Sequence, residues 1–418
     1  MQSFLLKTAM VHLGFWQTMN TLVFSFLCSV VMTFLIVHSS DFHLHLSADH
    51  DLLGVQKFHE IPVPRVGGLG IFLALLCSGI WLWVSNSPTL HFFLLLLIPS
   101  SLAFSAGLVE DLTKRVRVLT RLLVTMLSAL LGAFLFGASL RTFGVAPIDA
   151  LLSISYVSLP FTMVAVGGVA NAVNLIDGFN GLSGFVSVTA LLALALVAYL
   201  AGDQMIYTVA LIFAGAVAGF LVWNFPHAKI FLGDGGAYLV GFVIAELSVL
   251  LNERNHTVSV LFPLLLMIYP IFETVFTIYR RICIRGVSPG MPDALHLHQL
   301  INKRLVRWNV RSKTGHFRSR GNAMTSPYLW ALHSLAAIPA IFFWNNSLLL
   351  AVSIALYMLL YMWLYSRIVC FRTPQWLLLR RRVASGPELT APSSTMRDAP
   401  STPVSSQRDV VADEALFH

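Results

Sequence analysis

Charge is what this chain of 418 residues has least of. Asp, Glu, Lys and Arg make up 11% of it against 57% hydrophobic residues, where soluble domains carry roughly a quarter charged. That shortage excludes a set of water-covered globular cores, and a mean hydropathy of +0.77 makes lipid the solvent for most of the surface. Cysteine is scarce too. Cys28, Cys77, Cys283 and Cys370 all lie in apolar runs without CxxC or CxxH spacing, which argues against a disulfide framework and a zinc site. No internal repeat at a fixed period is visible, which disfavours the inverted-repeat transporter architectures. The first apolar run lacks a basic leader and an A-x-A-like cleavage site, so it reads as a retained span and not a removed signal peptide.

What the chain has in quantity is long apolar runs. A spanning helix needs about 20 mostly apolar residues, and eleven runs qualify: 20–38, 67–84, 90–108, 119–137, 153–170, 181–201, 206–224, 236–251, 257–279, 329–344 and 347–366. The expected fold is therefore all-α, a polytopic integral membrane protein with about eleven transmembrane helices over residues 1–384. From 385 to 418 the chain is rich in Ser, Thr and Pro and reads as a disordered cytoplasmic tail. Eleven spans put the termini on opposite sides. With the N-terminus outside, all but Lys7, Arg141 and Arg254 of the 27 Lys and Arg residues fall in inside segments. The positive-inside rule then explains the net charge of +8 without nucleic acid as a partner. The expected topology has an outside N-terminus, a cytoplasmic C-terminus and cytoplasmic loops 39–66, 109–118, 171–180, 225–235 and 280–328.

Four polar constellations fall on that inside face. GLVEDLTKRV (107–116) sets Glu110 and Asp111 at the inner end of the third span. Adjacent carboxylates there hold a divalent cation or move a proton, or else anchor a helix end at the interface. NAVNLIDGFNGLSG (171–184) repeats Asn171, Asn174 and Asp177 at every third position, on one face about 120° wide if the helix continues. Such oxygens are costly near lipid, so this is either a ligand site or a polar helix contact followed by a turn. NFPHAKIFLGDGGAYLVGF (224–242) encloses Asp234 between Gly233, Gly235 and Gly236, with Lys229 as a nearby cation. Gly-rich turns expose N–H groups that cradle phosphate; the alternative is an ordinary tight turn. PGMPDALHLHQLINKRL (289–305) carries Asp293, His296 and His298 ahead of Lys303 and Arg304. Its positive charge suits a diphosphate or an anionic head group, although two histidines one residue apart are a weak metal signal. Upstream, HEIPVPRVGGLGIF (59–72) adds His59, Arg65 and a glycine pair. The irregularly spaced His38, His43, His45, His50 and His59 read as a solvated loop. All of these motifs lie on the face picked independently by counting Lys and Arg, which points to one shared site.

Taken in order, VPRVGG, GLVEDL, NAVNLIDGFNGL, NFPHAKIFLGDGGA, PIFETVFTIYRR and DALHLHQL resemble the bacterial polyprenyl-phosphate N-acetylhexosamine-1-phosphate transferases, over about His59 to Leu305. The phospho-MurNAc-pentapeptide translocase is a more distant branch. There are departures: Glu110 precedes Asp111 where the family usually shows two aspartates, and Asn180 stands where aspartate is common. GDGGA replaces GDSGS, and Gln299 takes a place often held by a further histidine. The triple-histidine pattern of the pentapeptide branch is absent, which places the chain with the branch that uses simple UDP-N-acetylhexosamines.

The resemblance implies attack by undecaprenyl phosphate on the sugar-proximal phosphorus of a UDP-sugar, GlcNAc or a close analogue. UMP is released and O-antigen or another cell-envelope polysaccharide is begun. The implied partners are a UDP-N-acetylhexosamine, undecaprenyl phosphate and the lipid bilayer, with a homodimer left open. Two anionic phosphates must be brought together, so the implied cofactor is Mg²⁺, with Mn²⁺ as a substitute. The implied roles are Asp234 and Asp177 as metal ligands, Asp111, Asp177 and Glu110 in catalysis, and Asn171 and Asn174 in substrate hydrogen bonds. Lys229, His296 and His298 fall to the diphosphate, and Arg65, Gly233, Gly235 and Asp293 to substrate binding. The competing class is a transporter or flippase of lipid-linked sugars, which places charges along a midplane pathway. Here only Glu246 and Glu273 lie within spans away from the crowded face.

Overall fold

In the computed structural model the backbone is described for residues 2–40, 63–287, 295–306 and 316–370, with side chains from residue 18 and, in the last segment, from residue 322. These all fall within one compact unit, Met1–Leu379. The tail 385–418, Asp293 and His59 lie outside the described residues. Fourteen α-helices are seen among them: α1 (Gln2–His38), α2 (Gly67–Val84), α3 (Leu90–Thr113), α4 (Val118–Phe136), the short α5 (Ala146–Leu152), α6 (Ser155–Ile176), α7 (Leu182–Ala201), α8 (Gln204–Asn224), α9 (Gly233–Arg254), α10 (Leu261–Leu266), α11 (Ile268–Tyr279), α12 (Leu297–Ile301), α13 (His316–Phe342) and α14 (Ser347–Val369). Helices are what long apolar runs must form in lipid, where no water is present to satisfy the backbone.

Among the described residues nine helices are long and apolar enough to cross a membrane: Thr18–His38 of α1, then α2, α3, α4, α6, α7, α8, α9 and α14. The expected count of eleven is not met on that criterion. The run 257–279 is broken at Met267 into α10 and α11, and 329–344 is the apolar part of α13, whose first turns read HFRSRGN.

Helix α9 is the centre of the bundle. Nearly every residue from Gly233 to Asn252 is buried, and α2, α3, α6, α7, α8 and α4 all pack on it. By contrast the outward faces of α4 and α14 present Phe134 at 71% and Leu348 at 74% exposure, as lipid-facing side chains do. Close packing inside the bundle rests on small residues, which let helix backbones approach where burial of apolar groups supplies no net drive. On α8, Gly215 and Gly219 press on α1, where an added Cβ would come within 2.6 Å of Leu22 O and 2.5 Å of Phe26 O. Ser25 and Ser29 of α1 donate hydroxyl bonds back to Ile212 O and Ala216 O at 2.8 and 2.6 Å.

The helix ends explain how the site loops are aimed. Asp203 caps α8 by accepting from Ile206 N–H at 3.1 Å, and Gly202 closes α7 with φ of 82°. At the opposite end of the bundle the segment 64–68 pairs with 231–232: Phe231 N–H donates to Pro64 O, Gly67 N–H to Phe231 O and Gly68 N–H to Leu232 O, all at 2.8–2.9 Å. This ties the start of α2 to the start of α9. Helix α13 docks on the loop after α6, because Asn322 Oδ1 accepts from Asn180 N–H at 2.9 Å and Trp330 Nε1 donates to Gly181 O at 3.1 Å.

Candidate active site

The first turn of α9 collects the acids. Gly233 takes φ of +75°, and a Cβ there would meet Arg65 O at 1.9 Å, so only glycine fits this entry. The helix start is gripped from two sides. A Cβ on Gly107 of α3 would fall 2.5 Å from Asp234 O, and one on Gly68 of α2 would fall 2.3 Å from Gly236 N. Three glycine-bearing motifs far apart in sequence are thus pressed together, backbone against backbone.

Asp111, buried near the C-terminal end of α3, accepts from Asp234 N–H through Oδ1 at 2.9 Å and from Gly235 N–H through Oδ2 at 2.8 Å. It therefore caps α9 from another helix and satisfies two of the orphan donors every helix start leaves. Gly233 N–H in turn bonds to the Asp177 carboxylate. The cradle of free amides expected at Gly233 and Gly235 is corrected by this: those N–H groups are already held by protein carboxylates.

Asp234 itself is 7% exposed and paired with cations. Arg121 of α4 bonds Oδ2, and Arg65 Nη2 lies 3.6 Å from Oδ1. Arg121 also lies over the Tyr238 ring at 5.8 Å, and Tyr238 Oη donates to Asn171 Oδ1 at 3.1 Å. One face thus links α4, α6 and α9. Asp177 follows the last turn of α6, half-buried, and accepts from the Ser183 hydroxyl. Burial pushes its carboxyl up to about 6, against the Ser183 hydrogen bond, the Arg65 charge and the Gly233 N–H, which all pull it down. Among the described residues the buried Asn174 amide nitrogen, one turn before this group, has no hydrogen-bond partner.

The histidines form the second part. His296 is held by Glu273, and its ring stacks on His298 with centroids 5.2 Å apart. His298 meets Phe179, two residues past Asp177, edge-on at 5.5 Å. Burial drives His298 down to about 3, opposed by the Glu273 charge, so this ring is neutral at physiological pH.

Other expected residues lie apart. Glu110 turns away to accept from Val116 N–H at 2.7 Å, which folds the turn after α3 and gives it no contact with Asp234. Lys229 is exposed, its ammonium 4.9 Å from the Trp223 ring centre. Asn180, where the resemblance leads one to look for an aspartate, is fully enclosed and donates to Pro226 O at 2.8 Å. Arg121 was not singled out from the sequence, although a lone arginine one turn into a 19-residue apolar helix is itself a signal of a polar partner inside the bundle.

Among the described residues no group of three or more His, Cys, Asp and Glu side chains gathers as a metal cage. The donors present are the half-buried Asp177 carboxylate and Asp234, already shared by two arginines. That set fits a hard divalent cation taken together with substrate phosphates, the manner of Mg²⁺, and does not fit a cage for an ion bound by protein alone.

A family model described as glycosyl transferase family 4 matches residues 93–252, the stretch from α3 through α9 that builds this face. An undecaprenyl-phosphate alpha-N-acetylglucosaminyl 1-phosphate transferase of Thermotoga maritima is 30% identical over 261 residues, 61% of this chain and 73% of that protein. The chain belongs to glycosyl transferase family 4, among its polyprenyl-phosphate hexosamine-1-phosphate transferases. A protein of Bacillus subtilis named "Probable undecaprenyl-phosphate N-acetylglucosaminyl 1-phosphate transferase" is 31% identical over 252 residues, 58% of this chain and 66% of that one. The transferase is also 28% identical over 325 residues to the decaprenyl-phosphate N-acetylglucosaminephosphotransferase of Mycolicibacterium smegmatis, 69% of this chain and 74% of that one. It thus spans about two thirds to three quarters of these three relatives.

Proposed function

We propose that this membrane transferase moves N-acetylhexosamine 1-phosphate from a UDP-sugar to undecaprenyl phosphate. An oxygen of the lipid phosphate bonds to the sugar-proximal phosphorus, the phosphoanhydride breaks, and UMP leaves. The observation that carries this reading is the gathering of Asp111, Asp177, Asp234, Arg65 and Arg121 around the first turn of the enclosed helix α9. A site at a helix start on the bundle's end serves a substrate whose hydrocarbon tail stays in the bilayer while its phosphate reaches the surface.

Asp177, with Asp234 beside it, would hold Mg²⁺ jointly with the diphosphate, and the ion would offset the phosphate charges that must approach each other. The chain's own groups do the rest. Asp111, with both oxygens taken by N–H groups, aligns the first turn of α9. Arg65 and Arg121 counter the acids and supply positive charge for phosphate. Asn171 and Asn174 offer hydrogen bonds, and the His296–His298 pair faces the diphosphate. A strong base is not required, because a phosphate monoester's second pKa is about 6 and the nucleophile is largely ionised. The Lys and Arg distribution supports an orientation in the bacterial inner membrane with this end of the bundle in the cytoplasm and the N-terminus in the periplasm, and the product would begin O-antigen or another envelope polysaccharide.

Purified protein with Mg²⁺, undecaprenyl phosphate and UDP-GlcNAc should release UMP, and labelled UMP should run the reaction backwards, since one phosphoanhydride replaces another. EDTA should stop both directions. Release of UDP, or movement of a lipid-linked sugar across vesicles without nucleotide release, would overturn the reading. For orientation, the exposed native Cys283 and Cys370 should be shielded from an impermeant thiol reagent in intact cells, whereas Ser153→Cys, exposed at the far end of the bundle, should react.

A further inference from the structure

Glu273 lies on α11 and is 1% exposed. A carboxylate so enclosed persists only where its oxygens are engaged, and both are. Oε1 is 3.2 Å from Nδ1 of His296 and accepts from Leu297 N–H at 3.1 Å; Oε2 accepts from Tyr361 Oη at 2.7 Å. With Nδ1 bonded to the carboxylate, that nitrogen carries the hydrogen and Nε2 is the ring atom left for a ligand. Thr277 Oγ1 reaches the same nitrogen at 3.2 Å and steadies the ring from the next turn of α11. From there the contacts continue through the parallel stack of His296 on His298 to Phe179 in the Asp177 loop. Tyr361 belongs to α14, well beyond the residues 93–252 that the family model matches.

We propose that Glu273, locked by Tyr361, is a positioning residue that sets the tautomer and angle of His296 and with it the His296–His298 pair, so that α14 takes part in binding the diphosphate of the UDP-sugar. This rests on the reading of the histidines given above.

The test is a set of kinetic cycles on the full-length protein, measuring KM separately for UDP-GlcNAc and for undecaprenyl phosphate. Tyr361→Phe removes one hydroxyl and should raise KM for UDP-GlcNAc about 3- to 10-fold. Glu273→Gln should raise it about 10- to 100-fold, the range seen when a supporting partner of a ligating histidine is lost, and Glu273→Asp should recover part of that. KM for the lipid should stay unchanged. In a His296→Gln background neither change should cost more than about twofold further, because partners acting through one residue are not additive. Multiplicative losses in the double variants, an equal rise in KM for the lipid, or a Tyr361→Phe enzyme identical to wild type would overturn the positioning role. Wild-type KM in His296→Gln alone would remove the histidines from the site and this proposal with them, while absence of UMP release by the wild-type protein would instead strike the reaction itself.

Discussion

At its C-terminal end α9 closes with Arg254, whose Nε donates to Asp203 Oδ2 at 2.6 Å; at its N-terminal end it opens with Asp234, held by Arg121 and Arg65. The same residue types meet at both ends of one helix, yet their surroundings differ. Asp203 is hydrogen-bonded by Arg254, by Ile206 N–H and by Asn255. Burial raises its carboxyl, but these bonds outweigh it and hold the group below the usual range. At the N-terminal end three aspartates share two arginines, and Asp177 is left with a raised pKa of about 6. A closed pair at a helix end satisfies its own charges; the other end carries surplus acid and draws partners from four separate segments, which is the arrangement the proposed site for a charged ligand requires.

Four measurements can break or sharpen this contrast. The largest effect is expected from Asp177→Asn, which should cut UMP release by about 10³-fold, the scale of losing one aligned electrostatic group. Asp203→Asn should leave turnover within about twofold and lower the melting temperature instead; a large loss of turnover there would erase the distinction. Next comes stability. Arg121→Met strands a buried carboxylate and should cost about 3–5 kcal/mol, whereas Arg254→Met, with a side chain 45% exposed, should cost about 1 kcal/mol or less. Equal shifts in detergent unfolding midpoints would show that the two pairs do the same job.

The third is pH. A carboxylate needed in its ionised form with a pKa of about 6 gives kcat/KM an acid limb near pH 6. Ser183→Ala removes a hydrogen bond that lowers that pKa, so the limb should move up by about one unit. The substrate phosphate also titrates near 6, but it cannot respond to the mutation, and an unmoved limb would assign it to substrate. The stability signs are opposite at the two ends. Asp177 binds its proton more tightly when folded, so its contribution falls as pH rises from about 4 to about 6. Asp203 contributes fully above about 4 and loses that contribution as pH falls through its lowered pKa. Smallest is Lys229→Ala, which removes an exposed cation stacked on Trp223 and should change KM for the UDP-sugar about threefold or less, a surface-charge effect.

Much of the site was legible as residue type before any contact was known. Asp111, Asp177, Asp234 and Arg65 stand in Gly-flanked motifs on the face marked by Lys and Arg, and they do meet. Arg121 escaped because pattern reading sorts a basic residue near a helix end with the interface charges, and burial against Asp234 is invisible along the chain. The amides of Gly233 and Gly235 were misjudged for a related reason. A glycine turn announces that backbone N–H groups are available, but whether phosphate or protein takes them depends on Asp177, which meets Gly233 N–H, and on Asp111, 123 residues upstream of Asp234. Glu110 and Asp111 are neighbours with separate tasks, since adjacent residues on a helix point about 100° apart.

The sequence by itself determined that this is a helical membrane protein and which polar motifs gather at one end of the bundle, because span length, hydropathy and charge asymmetry are local properties that lipid enforces residue by residue. Only the tertiary structure decided that α9 is the enclosed centre, that Met267 breaks a run which reads as one span, and that Tyr361 of α14 reaches Glu273. Those outcomes depend on which helix faces meet, and that is settled by small residues and buried polar atoms finding partners across hundreds of positions.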